Sequence, residues 1–293
     1  MLSFDEIQKE FDPRLSGIIS YRSMIKEYLQ CKILEFINRG SFNDSLVLLG
    51  GTKLRLINKL RRFSDDLDFD LSNEYNRDNH LALCEFLVEM FGKMNITAEI
   101  DKEKKEKGTN VQTRFINFPD ILEKAGLKDT PGRKFFVKLD AQKHDFGTYV
   151  YEPEIQILNR FDVFVPVRCA PDSMIFATKL CSILERSKGR DFYDIIELAR
   201  TSRPDIDYIS NRLEFGRLQK KYAGPDTYLE LLRPALEKTD WDDKTREIEK
   251  FLFDPGESEK VRLFPAYATD ETVTRWLSPE TGSEPLRRRS DWI

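Results

Sequence analysis

Histidine and cysteine are scarce in this chain of 293 residues, and that scarcity excludes several kinds of site. The presence of only two histidines, His80 and His144, argues against a histidine-based metal centre or catalytic triad. The four cysteines are Cys31, Cys84, Cys169 and Cys181. Their wide spacing matches neither a zinc pattern nor a disulfide framework, and their neighbours are apolar. We therefore predict four buried, reduced thiols.

Long apolar runs are also lacking, and the formal net charge is only −4. No stretch reaches the roughly 18 apolar residues that a membrane-spanning helix needs. The first residues, MLSFDEIQKEFDPR, are acidic and lack an apolar core, which argues against a secretory signal. The slight negative charge argues against a general nucleic-acid coat, although a local basic groove is compatible with it. These absences predict a soluble, cytoplasmic protein with no membrane partner.

The segment from Leu46 to Leu71 combines features that suit a nucleotide. It begins with an apolar run of strand character, Leu46–Leu49, followed by Gly50 and Gly51, and Thr52 then opens a short basic helix. Paired glycines let a phosphate approach the backbone closely, and a helix start offers free N–H groups to an anion. The segment therefore predicts a seat for a triphosphate.

Acidic and apolar residues alternate at the end of this segment. On a strand, Asp66, Asp68 and Asp70 would share one face, with apolar residues on the other. Three like charges on one face repel unless a cation lies among them, and Mg²⁺ binds carboxylates together with substrate phosphates. Asp-x-Asp also occurs on solvated strand edges, so the pattern alone leaves both interpretations open.

The order of these pieces resembles a known family. GGT at 50–52 followed by RFSDDLDF at 62–69 resembles the first motif of DNA polymerase β-type nucleotidyltransferases, and more narrowly that of the AbiEii/AbiGii toxin family. Those proteins are the toxin halves of bacterial toxin–antitoxin and phage-defence pairs. The resemblance implies that Asp66 and Asp68 bind two Mg²⁺ ions. It also implies a phosphate seat, formed by Gly50, Gly51, Thr52 and Ser64. Lys53 stands where a small apolar residue is common, and would alter the nucleotide contacts.

A third carboxylate is predicted on a neighbouring strand, in RKFFVKLDA at 133–141. There Lys138 and Asp140 share a face, opposite Val137 and Leu139. In polymerase-type sites a third acid completes metal binding and can accept the proton of the attacking hydroxyl. A surface Lys138–Asp140 pair explains these residues equally well. The Lys-x-acid strand of the toxin family favours Asp140 as a catalytic residue and metal ligand.

A second block also resembles the toxin family, whose pattern is a lysine on one helix and Arg-Asp-x-x-Asp opening the next. Lys179 matches the lysine, and the remaining matches are Arg190, Asp191 and Asp194. The resemblance implies catalytic roles for Lys179 and Asp191, and nucleotide contacts for Lys179, Arg190 and Asp194. Lys179 would give a compact charge for a triphosphate oxygen, and Asp191 would hold Lys179 or Arg190 in place. A helix cap is the alternative role for Asp191.

Periodicity and turn residues predict the surrounding elements. Helices are predicted at 16–39, 78–93, 171–187, 191–201, 206–215, 225–238 and 241–253. Strands are predicted at 46–49, 66–71, 95–100, 111–118, 133–141 and 161–168. A short leader is expected at 1–15, a charged hairpin loop at 101–110, and a frayed tail at 254–293 that carries Arg287, Arg288 and Arg289.

With 40% hydrophobic residues and 21 phenylalanines, the chain can build a sizeable core in one large domain or two ordinary ones. We predict an α/β (α+β) fold, in which a small mixed sheet carries Asp66, Asp68 and Asp140 between flanking helices. The C-terminal half is predicted to be helical. The expected domains are a nucleotidyltransferase core at 1–170 and a helical domain with a flexible tail at 171–293.

The resemblance implies Mg²⁺-dependent transfer of a nucleoside monophosphate from an NTP to an acceptor, with release of pyrophosphate. The expected acceptor is the 3′ end of tRNA, or else a protein, and a cognate antitoxin is the expected partner. Two other classes remain open: a small-molecule nucleotidyltransferase of the antibiotic-modifying kind, and a non-catalytic binding module on the same core.

Overall fold

The structure is a computed structural model that describes residues 2–71, 75–101, 111–127, 134–143 and 146–278. The strands of the described residues are β1 (Leu46–Leu49), β2 (Asp66–Leu71), β3 (Glu99–Ile100), β4 (Val111–Asn117), β5 (Phe136–Gln142), β6 (Glu154–Arg160) and β7 (Val163–Cys169). The helices are α1 (Phe4–Gln8), α2 (Ile18–Arg39), α3 (Gly50–Leu56), α4 (Arg77–Lys93), α5 (Ile121–Lys124), α6 (Asp172–Glu185), α7 (Gly189–Leu198), α8 (Ile206–Phe215), α9 (Pro225–Glu237), α10 (Trp241–Glu249), α11 (Glu259–Arg262), α12 (Phe264–Tyr267) and α13 (Asp270–Leu277). Short 3₁₀ segments lie at Asn43–Ser45 and Pro255–Ser258.

The chain divides into two compact units. The first unit consists of Met1–His144, Glu152–Ala170 and Lys250–Phe253, and it contains all the described strands. The second consists of Asp145–Tyr151, Pro171–Glu249 and Asp254–Ile293, and its described elements are helical. The carboxylates of the first predicted motif and the lysine–aspartate block of the second therefore belong to different units.

The described strands form one mixed sheet in the order β3-β4-β5-β2-β1-β7-β6. The pairs β1–β7 and β2–β5 are parallel, and the other neighbouring strands are antiparallel. All four residues of β1 are buried, which explains its uninterrupted apolar sequence, because a central strand is covered on both faces. The acidic strand β2 lies beside β1, near the middle of the sheet.

The core of the first unit is built from α2, α4 and the apolar residues of the sheet. Several charged residues of α2 are buried, and each needs a partner to offset the loss of water. Glu27, for example, accepts hydrogen bonds from Arg55 at 2.8 and 2.9 Å and from Arg160 at 2.6 Å. This network joins α2 to α3 and to the end of β6.

The sequence predicts the mixed α/β class correctly, together with most of the elements. The predicted helices at 16–39, 78–93 and 206–215 correspond to α2, α4 and α8, whose observed bounds differ by at most two residues. The acidic strand is confirmed as β2, and the strand at 111–118 as β4. The predicted helix after the two glycines begins earlier than expected, at Gly50 rather than Thr52.

Three predictions about the ends of the chain are wrong. Residues 1–15 are not a loose leader, because α1 buries Ile7 in the core. The helix predicted at 241–253 ends at Glu249, and the next residues are part of the first unit, where Leu252 forms a β-bridge with Arg62. Residues 254–278 form short helices with buried apolar residues, so they are not a frayed tail.

The observed sheet differs from the predicted one in two strands. Of the strand predicted at 95–100, only Glu99–Ile100 pairs with a neighbour. The strand β6 (Glu154–Arg160), which pairs along its whole length with β7, was not among the predicted strands. The charged loop at 102–110 and the tail at 279–293, with its three arginines, lie outside the described residues.

The structure bears on the predictions made from the few cysteines and from the lack of long apolar runs. The four cysteines are free and buried, as expected, and burial raises the pKa of both Cys84 and Cys181 to about 12. None of the described helices combines the length and the apolar character required to traverse a bilayer.

Candidate active site

The turn between β1 and α3 is shaped by two glycines. Gly50 has a φ of 72°, in the left-handed region that favours glycine. A Cβ atom on Gly50 would also collide with the carboxylate of Asp68. On Gly51, an added Cβ would lie 2.8 Å from Nη2 of Arg62 and 2.8 Å from Oγ of Ser64. The missing side chains therefore let an acid, an arginine and a serine hydroxyl close onto one short stretch of backbone.

The register between β2 and β5 brings the predicted acids together. Asp66 lies opposite Lys138, and Asp68 lies opposite Asp140. Opposite residues of paired strands project from the same face, so these four side chains share one face of the sheet. The alternate residues of both strands enter the core; they are Leu67, Phe69, Val137 and Leu139. The alternation that the sequence predicts for β2 and β5 thus orients the acids away from the core.

The carboxylate of Asp140 already has two partners. Thr113 donates a hydrogen bond from Oγ1 to Oδ1 of Asp140 at 2.7 Å, and Lys138 forms an ion pair with Oδ2. Burial disfavours the charged form of Lys138. The hydrogen bond to Asp140 and the negative charges of Asp140, Asp66 and Asp68 outweigh that effect and raise the pKa of Lys138 above its usual value. Lys138 therefore carries the positive charge that the acidic face needs.

The chemistry and the contacts of Asp66, Asp68 and Asp140 determine how well they fit a metal ion. Carboxylates on adjacent strands are the oxygen ligands that a hard divalent cation prefers. Within the described residues, however, no group of three His, Cys, Asp or Glu side chains is arranged to hold a metal ion. The ion pair between Lys138 and Asp140 gives a physical reason. Asp66 and Asp68 fit a Mg²⁺ ion as donors, and Asp140 would join them only after Lys138 had turned away.

The remaining residues of the first motif lie deeper in the fold. The hydroxyl of Thr52 donates a hydrogen bond to the backbone carbonyl of Asp66, and Thr52 is fully buried. The side chain of Lys53 is only 2% exposed. Ser64 is buried beside Gly51, and its carbonyl accepts a hydrogen bond from Gln30 at 3.1 Å. Thr52 thus connects α3 to the first residue of the acidic strand, whereas Ser64 lies at the glycine turn.

The second predicted cluster lies where α6 is followed by α7. Nζ of Lys179 lies 2.7 Å from Oδ1 of Asp191 and 2.8 Å from Oδ2 of Asp194, and all three side chains are buried. Arg186 adds a second cation, with Nε 3.3 Å from Oδ2 of Asp191. Burial alone would raise the pKa of Asp191, but the charges of Lys179 and Arg186 outweigh it and lower the pKa to about 2.

This geometry distinguishes between the two predicted roles of Asp191, which are a helix cap and a partner for Lys179 or Arg190. The N-cap residue of α7 is Lys188, whose side chain makes no capping hydrogen bond, and the first N–H of the helix, that of Gly189, donates to Oε2 of Glu247 at 3.2 Å. Asp191 instead binds Lys179, which is one of the two partners expected from the motif. Arg190 is partly exposed at the start of the same helix. The cluster brings Lys179, Asp191 and Asp194 together as one charged network.

Two residues near the acidic face were missing from the predicted site. Arg62 is in the first motif and 1% exposed, with its guanidinium beside Gly51, so its place in the motif was a usable signal. Thr113, which holds Asp140, carries no comparable signal. Its role depends on the pairing of β4 with β5, and a lone threonine on a strand does not reveal its neighbour.

Comparison with known proteins identifies the family of this chain. The family model described as nucleotidyl transferase AbiEii toxin, type IV toxin–antitoxin system, matches residues 32–271. A search of curated proteins found no match. MenT4, a nucleotidyltransferase toxin from Mycobacterium tuberculosis H37Rv, is similar in structure. Its TM-score is 0.54 at 14% sequence identity, and the match covers 91% of this chain and 99% of MenT4.

A second solved structure, JHP933 from Helicobacter pylori, has a TM-score of 0.46 at 19% identity and covers 87% of this chain and 92% of its own. The likeness to MenT4 shows a shared fold, and the family model covers most of the chain. The chain therefore belongs to the AbiEii family of nucleotidyltransferase toxins of type IV toxin–antitoxin systems and is a nucleotidyltransferase.

Proposed function

We propose that this toxin transfers a nucleoside monophosphate from an NTP to the 3′ end of a tRNA, in a Mg²⁺-dependent reaction that releases pyrophosphate. The observation that carries the proposal is the pairing of Asp68 with Asp140 on neighbouring strands, with Asp68 closing onto Gly50. A phosphate chain lying along the glycine turn would have its reacting phosphorus next to these acids.

The glycine turn is proposed to hold the triphosphate. Gly50 and Gly51 are both partly exposed, so phosphate oxygens would reach the backbone of the turn. Ser64, whose hydroxyl lies beside Gly51, would donate a hydrogen bond to one of these oxygens. Thr52 would act indirectly, because its hydroxyl fixes the carbonyl of Asp66 and hence the start of the acidic strand.

The acidic face is proposed to carry out the transfer. Asp66 and Asp68 would hold Mg²⁺, which when bound lowers the negative charge on the phosphates and on the acceptor oxygen. The acceptor oxygen forms a bond to the α-phosphorus of the NTP while the bond to pyrophosphate breaks. The proton of the acceptor hydroxyl passes to Asp140, which Thr113 and Lys138 keep oriented.

The second cluster is proposed to support the reaction by fixing the start of α7. The ammonium of Lys179 is held by Asp191 and Asp194, which favours a positioning role over direct contact with a triphosphate oxygen. A nucleotide contact by Arg190 rests on the family motif and on the partial exposure of that side chain.

The family implies an NTP substrate and an antitoxin partner. We further propose that the chain acts in the cytoplasm, where NTPs and tRNA occur together, and that its toxicity serves abortive infection during phage attack. Loss of tRNA function would stop growth of the infected cell before phage production is complete.

Transfer can be tested with the purified full chain, total tRNA and each α-³²P-labelled NTP, with Mg²⁺ or with EDTA. Denaturing gels should show label on tRNA only with Mg²⁺, and nuclease mapping should place it at the 3′ end. Label on small acceptors such as aminoglycosides, and not on tRNA, would contradict the RNA-directed reaction. No transfer to any acceptor, together with growth arrest by an Asp66→Ala variant, would point to a binding module instead.

A further inference from the structure

The two edges of the sheet are unlike each other. One edge is β3, which has two residues, and the other is β6, which has seven. A short edge strand offers little backbone to another chain and is a common way to prevent unwanted pairing. A seven-residue edge strand offers a full row of N–H and C=O groups. Among the described residues, the backbone of β6 pairs on one side only, with β7.

The sequence of β6 lacks the features that usually protect such an edge. Between its terminal charges the strand reads Ile-Gln-Ile-Leu-Asn, with no proline, glycine or charged residue. Ile155 is 60% exposed and Ile157 is 51% exposed on its outer face. The adjacent strand adds Phe164 at 71% exposure, next to the exposed Pro166. An apolar face that continues to an open strand edge indicates an interaction surface.

The same strand is complementary to itself. Consider two copies of β6 paired antiparallel and centred on Ile157. Each residue then faces the residue of the second copy for which the two residue numbers add up to 314. Glu154 then lies opposite Arg160 of the second copy, at both ends of the pair. Opposite charges on facing residues stabilise antiparallel strands, and like charges destabilise them. In its own chain Arg160 also binds Glu27 at 2.6 Å and Glu10 at 3.7 Å, so Glu154 of the second copy would be a further anion beside this guanidinium.

The apolar residues fit this arrangement as well. Ile157 faces Ile157 of the second copy on the outer face, and Ile155 faces Asn159. Ile157 also lies beside Pro166 of its own β7, so each Ile157 has an apolar neighbour on both sides. On the inner face Gln156 faces Leu158, whose side chain is in the core. No like-charged residues meet in this register.

We propose that β6 is a docking surface for a second copy of this chain, which pairs antiparallel through Glu154–Arg160 and joins the two sheets edge to edge. The charge complementarity of the strand with itself selects a second copy over other occupants. An interface built on one pair of strands is at the small end of the range for specific dimers, so the dimer should dissociate on dilution.

The oligomeric state of the full chain tests this proposal. Sedimentation velocity over about 1 to 100 µM should show the apparent mass rising from monomer toward dimer. Ile157→Lys places two ammonium groups opposite each other and should weaken the dimer at least about tenfold. Ile19→Lys is the matched control, because Ile19 is 55% exposed and lies on α2 rather than on the edge strand. A monomer at every concentration, or equal weakening by both variants, would overturn the proposal.

Cross-linking tests the register independently of any loss of stability. The four native cysteines are buried, so a cysteine introduced on β6 is the accessible thiol among the described residues. Ile157→Cys should form a covalent dimer under mild oxidation at least about ten times faster than Asn159→Cys, because only position 157 faces itself. A mixture of Ile155→Cys and Asn159→Cys chains should also cross-link. Equal cross-linking rates for Ile157→Cys and Asn159→Cys would refute self-pairing in this register. Cross-linking of β6 only to a strand of an antitoxin, and not to a second copy, would refute it as well.

Discussion

Asp68 on β2 and Asp140 on β5 lie directly opposite each other in parallel strands, and the ammonium of Lys138 is bound to Asp140. Parallel pairing makes this possible although the two residues are far apart in the sequence. The acidic face is thus held in register by the sheet itself, and the half-buried Lys138 offsets part of its charge.

Asp68→Asn should abolish nucleotidyl transfer while leaving the fold intact. The variant keeps the shape of the side chain but removes one anionic oxygen next to the glycine turn. We expect transfer to fall by at least about a hundredfold, the scale seen when one electrostatically important group is removed. Labelled-NTP transfer to tRNA measures this. Asp65→Asn is the matched control, because Asp65 is a neighbouring carboxylate that pairs with Lys26 at 3.0 Å, and it should keep most of the activity.

Gly50→Ala should destabilise the protein more than Gly126→Ala. The two glycines have φ values of 72° and 71°, so both substitutions carry the same backbone strain, about 1–3 kcal/mol. At Gly50 the new methyl group would also displace the carboxylate of Asp68, whereas at Gly126 it would meet no described atom within 4 Å. Urea unfolding measures the free-energy difference. Equal loss of stability, with activity retained in Gly50→Ala, would show that the approach of Asp68 to Gly50 is unimportant.

Asp191→Asn should destabilise the second unit and change its acid sensitivity. The substitution leaves Lys179 with Asp194 as its remaining carboxylate, and breaking a buried ion pair costs about 3 kcal/mol or more. The pKa of Asp191 is about 2 in the folded chain, below the value of about 3.9 expected when unfolded. Its stabilising contribution is therefore complete above pH 4 and is lost as the pH falls toward 2.

The measurement for Asp191 is the difference in unfolding free energy between the two chains at several pH values. The advantage of the natural chain over Asp191→Asn should shrink between pH 4 and pH 2. Asp243→Asn serves as control, because Asp243 pairs with Lys244 at 2.8 Å on the exposed surface. That variant should have little effect on stability at any pH. A constant advantage of Asp191 across the acid range would contradict the network described.

Thr52→Val should lower catalytic rate more than nucleotide affinity. The hydroxyl of Thr52 binds the carbonyl of Asp66 inside the fold, so its loss should cost about 1 kcal/mol of stability and loosen the acidic strand. We expect kcat to fall while KM for the NTP stays nearly constant. Thr52→Ser retains the hydroxyl and should restore most of the rate. A large rise in KM with unchanged kcat would instead support direct contact between Thr52 and the nucleotide.

Local patterns were sufficient to predict the elements that carry the site. Alternation in β2 and β5, the glycine pair and the apolar run of β1 each depend on a few adjacent residues. The strand β6 was missed because its isoleucines, which alternate with polar residues, lie on the exposed face and Leu158 alone is buried, so the apolar pattern does not mark a core face. The C-terminal helices were missed because they are short and begin near proline or glycine.

Long-range pairing explains what the sequence could not predict about the site. The sequence indicated Asp66, Asp68 and Asp140 as partners and left a Lys138–Asp140 pair open, but it gave no sign that Thr113 would hold the other oxygen of Asp140. The burial of Thr52 and Lys53 follows from packing between α3 and the sheet. Such contacts depend on which strands become neighbours, and local periodicity does not contain that information.

At Lys250–Phe253 the chain returns from the second compact unit to the first, and this return limits where the protein can be cut into separate fragments. In that return, Phe251 accepts a backbone hydrogen bond from Phe63 at 2.7 Å, and Phe253 donates one to Arg61 at 3.3 Å. A fragment that stops at residue 170 would lose both bonds, and with them the support for the backbone that leads into Ser64. A fragment of residues 1–170 should therefore be less stable than the first unit within the full chain.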